Sequence, residues 1–220
     1  MTEIADVLTA IDSMASGGER MALATVVAVR GSTYRRPGAR LLVPEHGPPI
    51  GNISGGCLEA DVADVARKVM DAGTPRLASW DLTADDDAVW GMGLGCNGAI
   101  DVFIEPVAQA AQVAGALRSA LEREHPICVV TVIESADPRA TTGGRLVLSS
   151  GSIEAHGSLG DPGLDTAAAD TAVGALRTGR SEVSALADGV RAFVEVLEPP
   201  LRLLICGAGH DAAPLVRASA

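Results

Sequence analysis

The residues best suited to chemistry lie in Gly51-Asn52-Ile53-Ser54-Gly55-Gly56-Cys57-Leu58-Glu59, an extended stretch that ends in a glycine turn and delivers a cysteine to a helix start. Leu58, Val62, Val65, Val69 and Met70 recur at helical spacing. They predict an amphipathic helix whose first turn spans Cys57 to Ala60. A thiolate there is favoured by the partial positive charge of the helix terminus. Gly55 and Gly56 admit a bulky ligand to the backbone and tolerate the positive φ that builds an anion-holding nest of amides. The plainer alternative is a tight strand-to-helix turn with a buried cysteine.

A second candidate is Trp90-Gly91-Met92-Gly93-Leu94-Gly95-Cys96-Asn97-Gly98, whose glycines allow close approach of a ligand and present Cys96 ahead of a strand over 99–105. The other cysteines, Cys128 and Cys206, fall inside apolar runs and read as small hydrophobes within strands. No Cys-x-x-Cys spacing or nearby histidine pair suggests a zinc site. Asp85-Asp86-Asp87 reads as a solvated bend, because consecutive residues cannot all face one ion. Arg30, Arg35, Arg36 and Arg40, with no acid between them, form the one dense basic patch. It is either a solvated face or, through guanidinium forks matched to phosphate oxygens, an anion site.

These groups need elements to position them. Ile4, Val7, Leu8, Ile11 and Met14 predict an opening helix that Gly17-Gly18 stops. Residues 21–29 and 40–43 read as the strands of a hairpin whose tip carries the arginines, and Arg76 to Leu82 as a further strand. An Ala-rich helix is expected from Pro106 to about Glu124. The order then recurs: strands at 127–133 and 145–148, an extended stretch over 151–159, a helix at 167–176 with Gly179 as its stop, and a strand over 190–199. In this copy Ser158-Leu159-Gly160-Asp161-Pro162 replaces the cysteine turn, and nothing matches the Cys96 loop. Residues 201–206 read as a strand entering Gly207-Ala208-Gly209-His210, the first half of a dinucleotide-binding unit. The expectation is an α/β fold: a mixed sheet with flanking helices in two duplicated lobes (repeats about 20–108 and 125–199, domain 1–199), followed over 200–220 by the first strand and partial helix of a truncated Rossmann-like unit.

Composition narrows the partners. A net charge of −11 argues against nucleic acid, which needs a whole basic face. No apolar run approaches the ~18 residues of a membrane span. Met1 to Met14 carries Glu3, Asp6 and Asp12 and no base, unlike a secretory signal, so the protein is expected in the cytoplasm.

Read together, the stretch from Thr25 to Val43, the Ser54-to-Glu59 turn, Gly93-Leu94-Gly95-Cys96-Asn97-Gly98 and Ile205-Cys206-Gly207-Ala208-Gly209-His210 closely resemble the xanthine dehydrogenase accessory factor family, also called XdhC/CoxI. The resemblance implies a chaperone that binds the molybdenum cofactor, supports its sulfuration by a cysteine desulfurase, and hands it to a molybdenum hydroxylase apoenzyme of the xanthine dehydrogenase or CO dehydrogenase type. It implies cofactor contacts from Cys57, Cys96, Ser54, Gly55, Gly56, Gly95, Arg35 and Arg36, with the two thiols nearest molybdenum and no residue assigned as a metal ligand or catalyst. A homodimer is compatible with it. Two features depart from the family pattern: Asn97 stands where a second glycine is usual, and relatives continue through a whole Rossmann-type domain. Gly207, Gly209 and His210 would then be vestigial and NAD(P) not a cofactor. The competing readings are a remnant of an NAD-dependent oxidoreductase and a degenerate fragment of the family.

Overall fold

The computed structural model describes residues 3–81, 97–106, 114–115, 118, 125–150, 155–199 and 203–219. Helix α1 (Glu3–Ser16) is followed by β1 (Met21–Ser32), β2 (Arg40–Pro44), the short β3 (Ile50–Gly51), α2 (Glu59–Ala72), β4 (Arg76–Asp81) and β5 (Asn97–Pro106). The second half repeats that series as β6 (Ile127–Ser135), β7 (Arg145–Ser149), β8 (Ala155–Ser158), α3 (Pro162–Thr178), β9 (Glu182–Ala187) and β10 (Val190–Leu197), and α4 (Ala212–Ser219) ends it. The strands form two five-stranded sheets of matching order, β3-β2-β1-β5-β4 and β8-β7-β6-β10-β9. Pairing is antiparallel throughout both, where a mixed sheet was expected. Strand β9 was not foreseen; its signal is Asp188-Gly189, a two-residue turn with Gly189 at φ 70° that folds β9 back along β10.

Alternation along the strands explains how two lobes make one body. In β1, Ala22, Ala24 and Val26 face α2, while Val27 on the opposite side enters a cluster with Phe103, Ile133 and Phe193 from both sheets. The second lobe follows suit, with Cys128, Val130 and Val132 of β6 packed toward α3. Helix α1 covers a separate patch, setting Val7, Leu8 and Ile11 on Met21, Leu23 and Leu42. The central strands are thus buried on both faces, which is why they read as continuous apolar runs. Burial also pushes the Cys128 thiol up to about 12, with nearby Glu195 adding to it, in keeping with a packing role.

The inter-sheet face also holds charge. Arg40 of β2 donates to Glu195 of β10 at 2.6 Å, and Arg145 of β7 donates to Glu105 of β5. Side-chain exposure is 3% and 7% for the first pair and 4% and 2% for the second. Each arginine also bonds a carbonyl two residues earlier, Arg40 to Gly38 at 2.8 Å and Arg145 to Gly143 at 3.0 Å. The pairs are reciprocal, each lobe giving one arginine and one glutamate.

The C-terminal expectation needs correction. Residues 203–208 form no strand, Leu203 and Cys206 are exposed, and Leu204 is 86% exposed. No neighbouring strand pairs with them among the described residues, so the backbone has no ladder to join.

Removing one member of a buried pair leaves an uncompensated charge. Glu195→Ala is therefore expected to cost ~3–5 kcal/mol in urea unfolding, whereas the apolar double replacement Arg40→Met with Glu195→Leu costs much less. A loss for Glu195→Ala below ~1 kcal/mol, the scale of a surface pair, would show that the pair does not hold the lobes.

Candidate functional site

The loop joining β3 to α2 is organised by two polar side chains. Ser54 is buried, and its hydroxyl accepts from the amides of Gly56 (3.1 Å) and Leu58 (3.2 Å) while donating to Glu59. The Glu59 carboxylate also accepts from the amides of Ser54 (2.9 Å), Leu58 (3.2 Å) and Ile53 (3.4 Å). Burial raises the Glu59 pKa, but the hydrogen bonds from Ser54 and the neighbouring amides outweigh it and hold the carboxyl below its ordinary value. Gly56, at φ 103°, supplies the left-handed bend that lets the chain turn toward these acceptors.

This clamp shifts the helix start. Helix α2 begins at Glu59, with Leu58 as its N-cap and no side chain capping it, so Cys57 lies before the cap and not in the first turn. The thiol is half-buried and packs against the first-lobe core. Ser54, expected as a cofactor contact, is placed inside the loop, where its hydroxyl joins the amides of Gly56 and Leu58 to Glu59. Glu59 had been given no role, and its signal in the sequence is a serine five residues upstream, close to the Ser-x-x-Glu spacing of a capping box.

The arginine patch divides in two. Arg30 makes a bidentate contact with buried Asp101, at 2.8 and 3.0 Å, and Arg40 is buried against Glu195. The single patch expected from sequence is thereby corrected: pairing partners came from distant strands, Asp101 of β5 and Glu195 of β10. Arg35, which has partners of its own, and exposed Arg36 line a cleft of about 490 Å³ together with Tyr34, Pro37 and Ile4 and Val7 of α1. Tyr34 is 70% exposed, and its ring lies 3.9 Å from where a Cβ on Gly55 would be. Gly55, on the cysteine loop, thus lies beside the arginine-bearing tip.

Cys96 and Gly95 lie outside the described residues. The chain resumes at Asn97, which is paired opposite Ser32 at the end of β1. Gly98 follows, where a Cβ would come within 2.4 Å of the Arg30 carbonyl oxygen, so the approach there requires glycine. Gly207, Gly209 and His210 are exposed ahead of α4, and among the described residues 203–208 no strand leads into the nucleotide turn. Among the described residues no group of three or more His, Cys, Asp or Glu could hold a metal ion, and no helix is long and apolar enough to cross a membrane.

The fold and rim define a two-lobed α/β protein that presents a cysteine on a clamped strand-to-helix loop beside an arginine-bearing tip. Residues 14–81 match the model of the XdhC and CoxI family, the family that the sequence resembles. The chain is 31% identical over 214 residues to a probable xanthine dehydrogenase subunit of Bacillus subtilis, covering 96% of this chain and 60% of that protein. It is 31% identical over 119 residues to the molybdenum cofactor insertion chaperone PaoD of Escherichia coli, covering 54% of this chain and 36% of the other. A crystal structure of a xanthine dehydrogenase from Bacillus halodurans superposes with a TM-score of 0.65 at 30% identity, over 99% of this chain and 59% of that one. The chain thus spans about 60% or less of the length of these relatives.

Two carboxylates at the site link it to pH. Hydrogen bonds from Arg30 hold Asp101 below the ordinary carboxylate range, against burial and with help from Ser79, and Glu59 is lowered as described. Folded values below unfolded ones mean stability that is complete above the unfolded values of ~3.9 and ~4.3 and is lost as pH falls through the folded values. Thermal unfolding is expected to shift downward once pH drops below about 4, with a shallower slope in Glu59→Gln and in Asp101→Asn. An unchanged slope in both variants would mean that neither carboxylate is linked to folding.

Proposed function

We propose that this protein binds the molybdenum cofactor and assists its delivery to a molybdenum hydroxylase apoenzyme, acting as a cofactor chaperone and not as a catalyst. The observation that carries the reading is the approach of two segments: the glycine loop that bears half-buried Cys57, and the tip whose exposed Tyr34 ring lies against Gly55 of that loop and whose Arg35 and Arg36 line a cleft. The donor set suits a ligand with a soft metal–sulfur group at one end and a phosphate at the other, since thiolate is matched to soft centres and guanidinium to phosphate oxygens. Cys57 would face the metal end, Gly55 and Gly56 would admit the ring system to the backbone, and Arg36 with Arg35 would hold the phosphate. When bound, the cofactor supplies the molybdenum centre of the client enzyme. The family segment and the likeness to an Escherichia coli molybdenum cofactor insertion chaperone support this assignment.

Further parts of the reading are the second thiol Cys96 at the same ligand, sulfuration with a cysteine desulfurase as partner, cytoplasmic residence and a homodimer. The oxidoreductase alternative draws nothing from the described residues, because Gly207 and Gly209 follow no strand.

Protein purified from cells that make the cofactor is expected to retain pterin, read by fluorescence after oxidation, and Cys57→Ala is expected to lose it while staying within ~1 kcal/mol of parental stability. Destabilisation by several kcal/mol would identify Cys57 as a packing residue. Retention that weakens with added salt is expected if Arg35 and Arg36 hold an exposed phosphate, because such charges are screened beyond a Debye length of ~8 Å. Salt-independent retention, unaltered in the Arg35→Ala and Arg36→Ala double variant, would exclude the tip.

A further inference from the structure

We infer that the seam between the tip and the cysteine loop of the first lobe is a recognition site for a pterin-type heterocycle, held by the Arg36 amide and the Ile53 carbonyl. This rests on the cofactor reading and names the backbone groups that meet the ring. Matching bonds set the two lobes in register. In the tips, the Gly38 amide donates to the Val26 carbonyl and the Gly143 amide to that of Val132, both at 2.8 Å. Val26 donates to Ala39 at 2.9 Å and Val132 to Gly144 at 3.0 Å, while Ala39 donates to Arg36 at 3.1 Å and Gly144 to Thr141 at 2.7 Å. Arg36 therefore corresponds to Thr141, and Ala39 to Gly144. In the loops, the Ile53 amide donates to Glu59 and the Leu159 amide to Asp165, each six residues ahead. Ile53 thus corresponds to Leu159, and Ser54 to Gly160.

In the second lobe the seam is closed, because the Thr141 amide donates to the Leu159 carbonyl at 2.7 Å. Two glycines allow that approach. A Cβ on Gly160 would come within 2.4 Å of the Arg139 carbonyl oxygen, and one on Gly144 within 3.2 Å of both the Ser158 carbonyl oxygen and the Leu159 Cα. Gly160 is also at φ 110°, in the left-handed region that favours glycine. The first lobe carries side chains at both places, Ser54 and Ala39, and Ser54 does not take up a positive φ. The closing bond is missing there. Among the described residues no group accepts from the Arg36 amide and none donates to the Ile53 carbonyl.

A donor and an acceptor kept from each other are complementary to a ligand that offers one of each. A 2-amino-4-oxopteridine does so: its carbonyl and ring nitrogens accept, and its amino group and ring N–H donate. An aromatic face lies beside the seam, since the exposed Tyr34 ring is 3.9 Å from where a Cβ on Gly55 would be, and a flat ring can stack on it. The second lobe has Asp161 in place of Gly55 and Arg139 in place of Tyr34. Arg36 and Ala39 also line the cleft of about 490 Å³, so the first-lobe seam borders a space that a ligand can enter.

Amide exchange of the full chain, resolved by NMR, tests this with pterin (2-amino-4-oxopteridine) as the probe, a molecule with neither phosphate nor metal. Without probe, Thr141 is expected to be protected at least about tenfold more than Arg36, because only its amide is bonded within the protein. Saturating pterin is expected to raise Arg36 protection about tenfold and leave Thr141 unchanged, whereas quinoxaline, flat but lacking an N–H donor, leaves both unchanged. Arg36→Ala keeps the amide and is expected to bind pterin within about twofold of the parental protein, while Arg36→Pro removes it and weakens binding about tenfold. Equal protection of Arg36 and Thr141 without probe, no gain at Arg36 with pterin, or an equal gain with quinoxaline would each overturn the inference. Should Arg36→Pro fail to fold by circular dichroism, Arg36 exchange in the parental protein decides the matter. Retention of the whole cofactor from cells by a protein whose Arg36 ignores pterin would sink this inference and leave the chaperone reading standing; protection of Arg36 by pterin in a protein that retains no cofactor would do the reverse.

Discussion

The reciprocal burial of Arg40 against Glu195 and of Arg145 against Glu105 is the constraint on which the rest of the molecule depends. Two charges withdrawn from water are tolerated only when each finds its partner in place, so a shift of one sheet across the other would strand four charges. The apolar cluster of Val27, Phe103, Ile133 and Phe193 lies in the same interface and resists the same slip through close packing. Dispersion and hydrophobic burial favour contact between the sheets in many registers; the ion pairs admit few.

That register has consequences for the rim. Arg40 begins β2 and anchors the hairpin whose tip is Tyr34 to Gly38, and β2 in turn pairs with β3, which leads into the cysteine loop. Fixing Arg40 against the second lobe therefore fixes the base of both segments that meet at the rim. Asp101 acts similarly from β5, holding Arg30 at the far end of β1 opposite the strand start that follows Cys96. The second lobe thus contributes to the site by supplying counter-charges to the first.

Within the loop, polarity is divided between structure and chemistry. Ser54 and Glu59 satisfy the amides of a buried, strongly bent backbone, a need that any such turn must meet. Both lobes meet it with a serine and a carboxylate. Each carboxylate, Glu59 or Asp165, accepts from the amide six residues before it, and what differs is the residue two places before the carboxylate: Cys57 in the first lobe and Gly163 in the second. Duplication supplied two equivalent frames, and only one carries a thiol there, on the loop whose Gly55 lies beside Tyr34.

The sequence alone showed that the chain folds as repeated α/β lobes, because strand alternation, helical spacing and glycine stops are local signals that appear twice in the same order. It also marked Cys57, its glycines and the likeness to the family whose model residues 14–81 match. It did not show that the sheets are antiparallel throughout, since strand direction depends on how segments return and not on their composition. Nor could it separate the four arginines of the tip, two of which are spent on Asp101 and Glu195, residues 71 and 155 positions away along the chain. Of the strand expected at 201–206, described residues 203–206 form none for a related reason: an apolar run becomes a strand only when another strand is present to take its backbone hydrogen bonds. Charge pairing and sheet pairing are decided by neighbours in space, and those exist only once the two lobes have closed on one another.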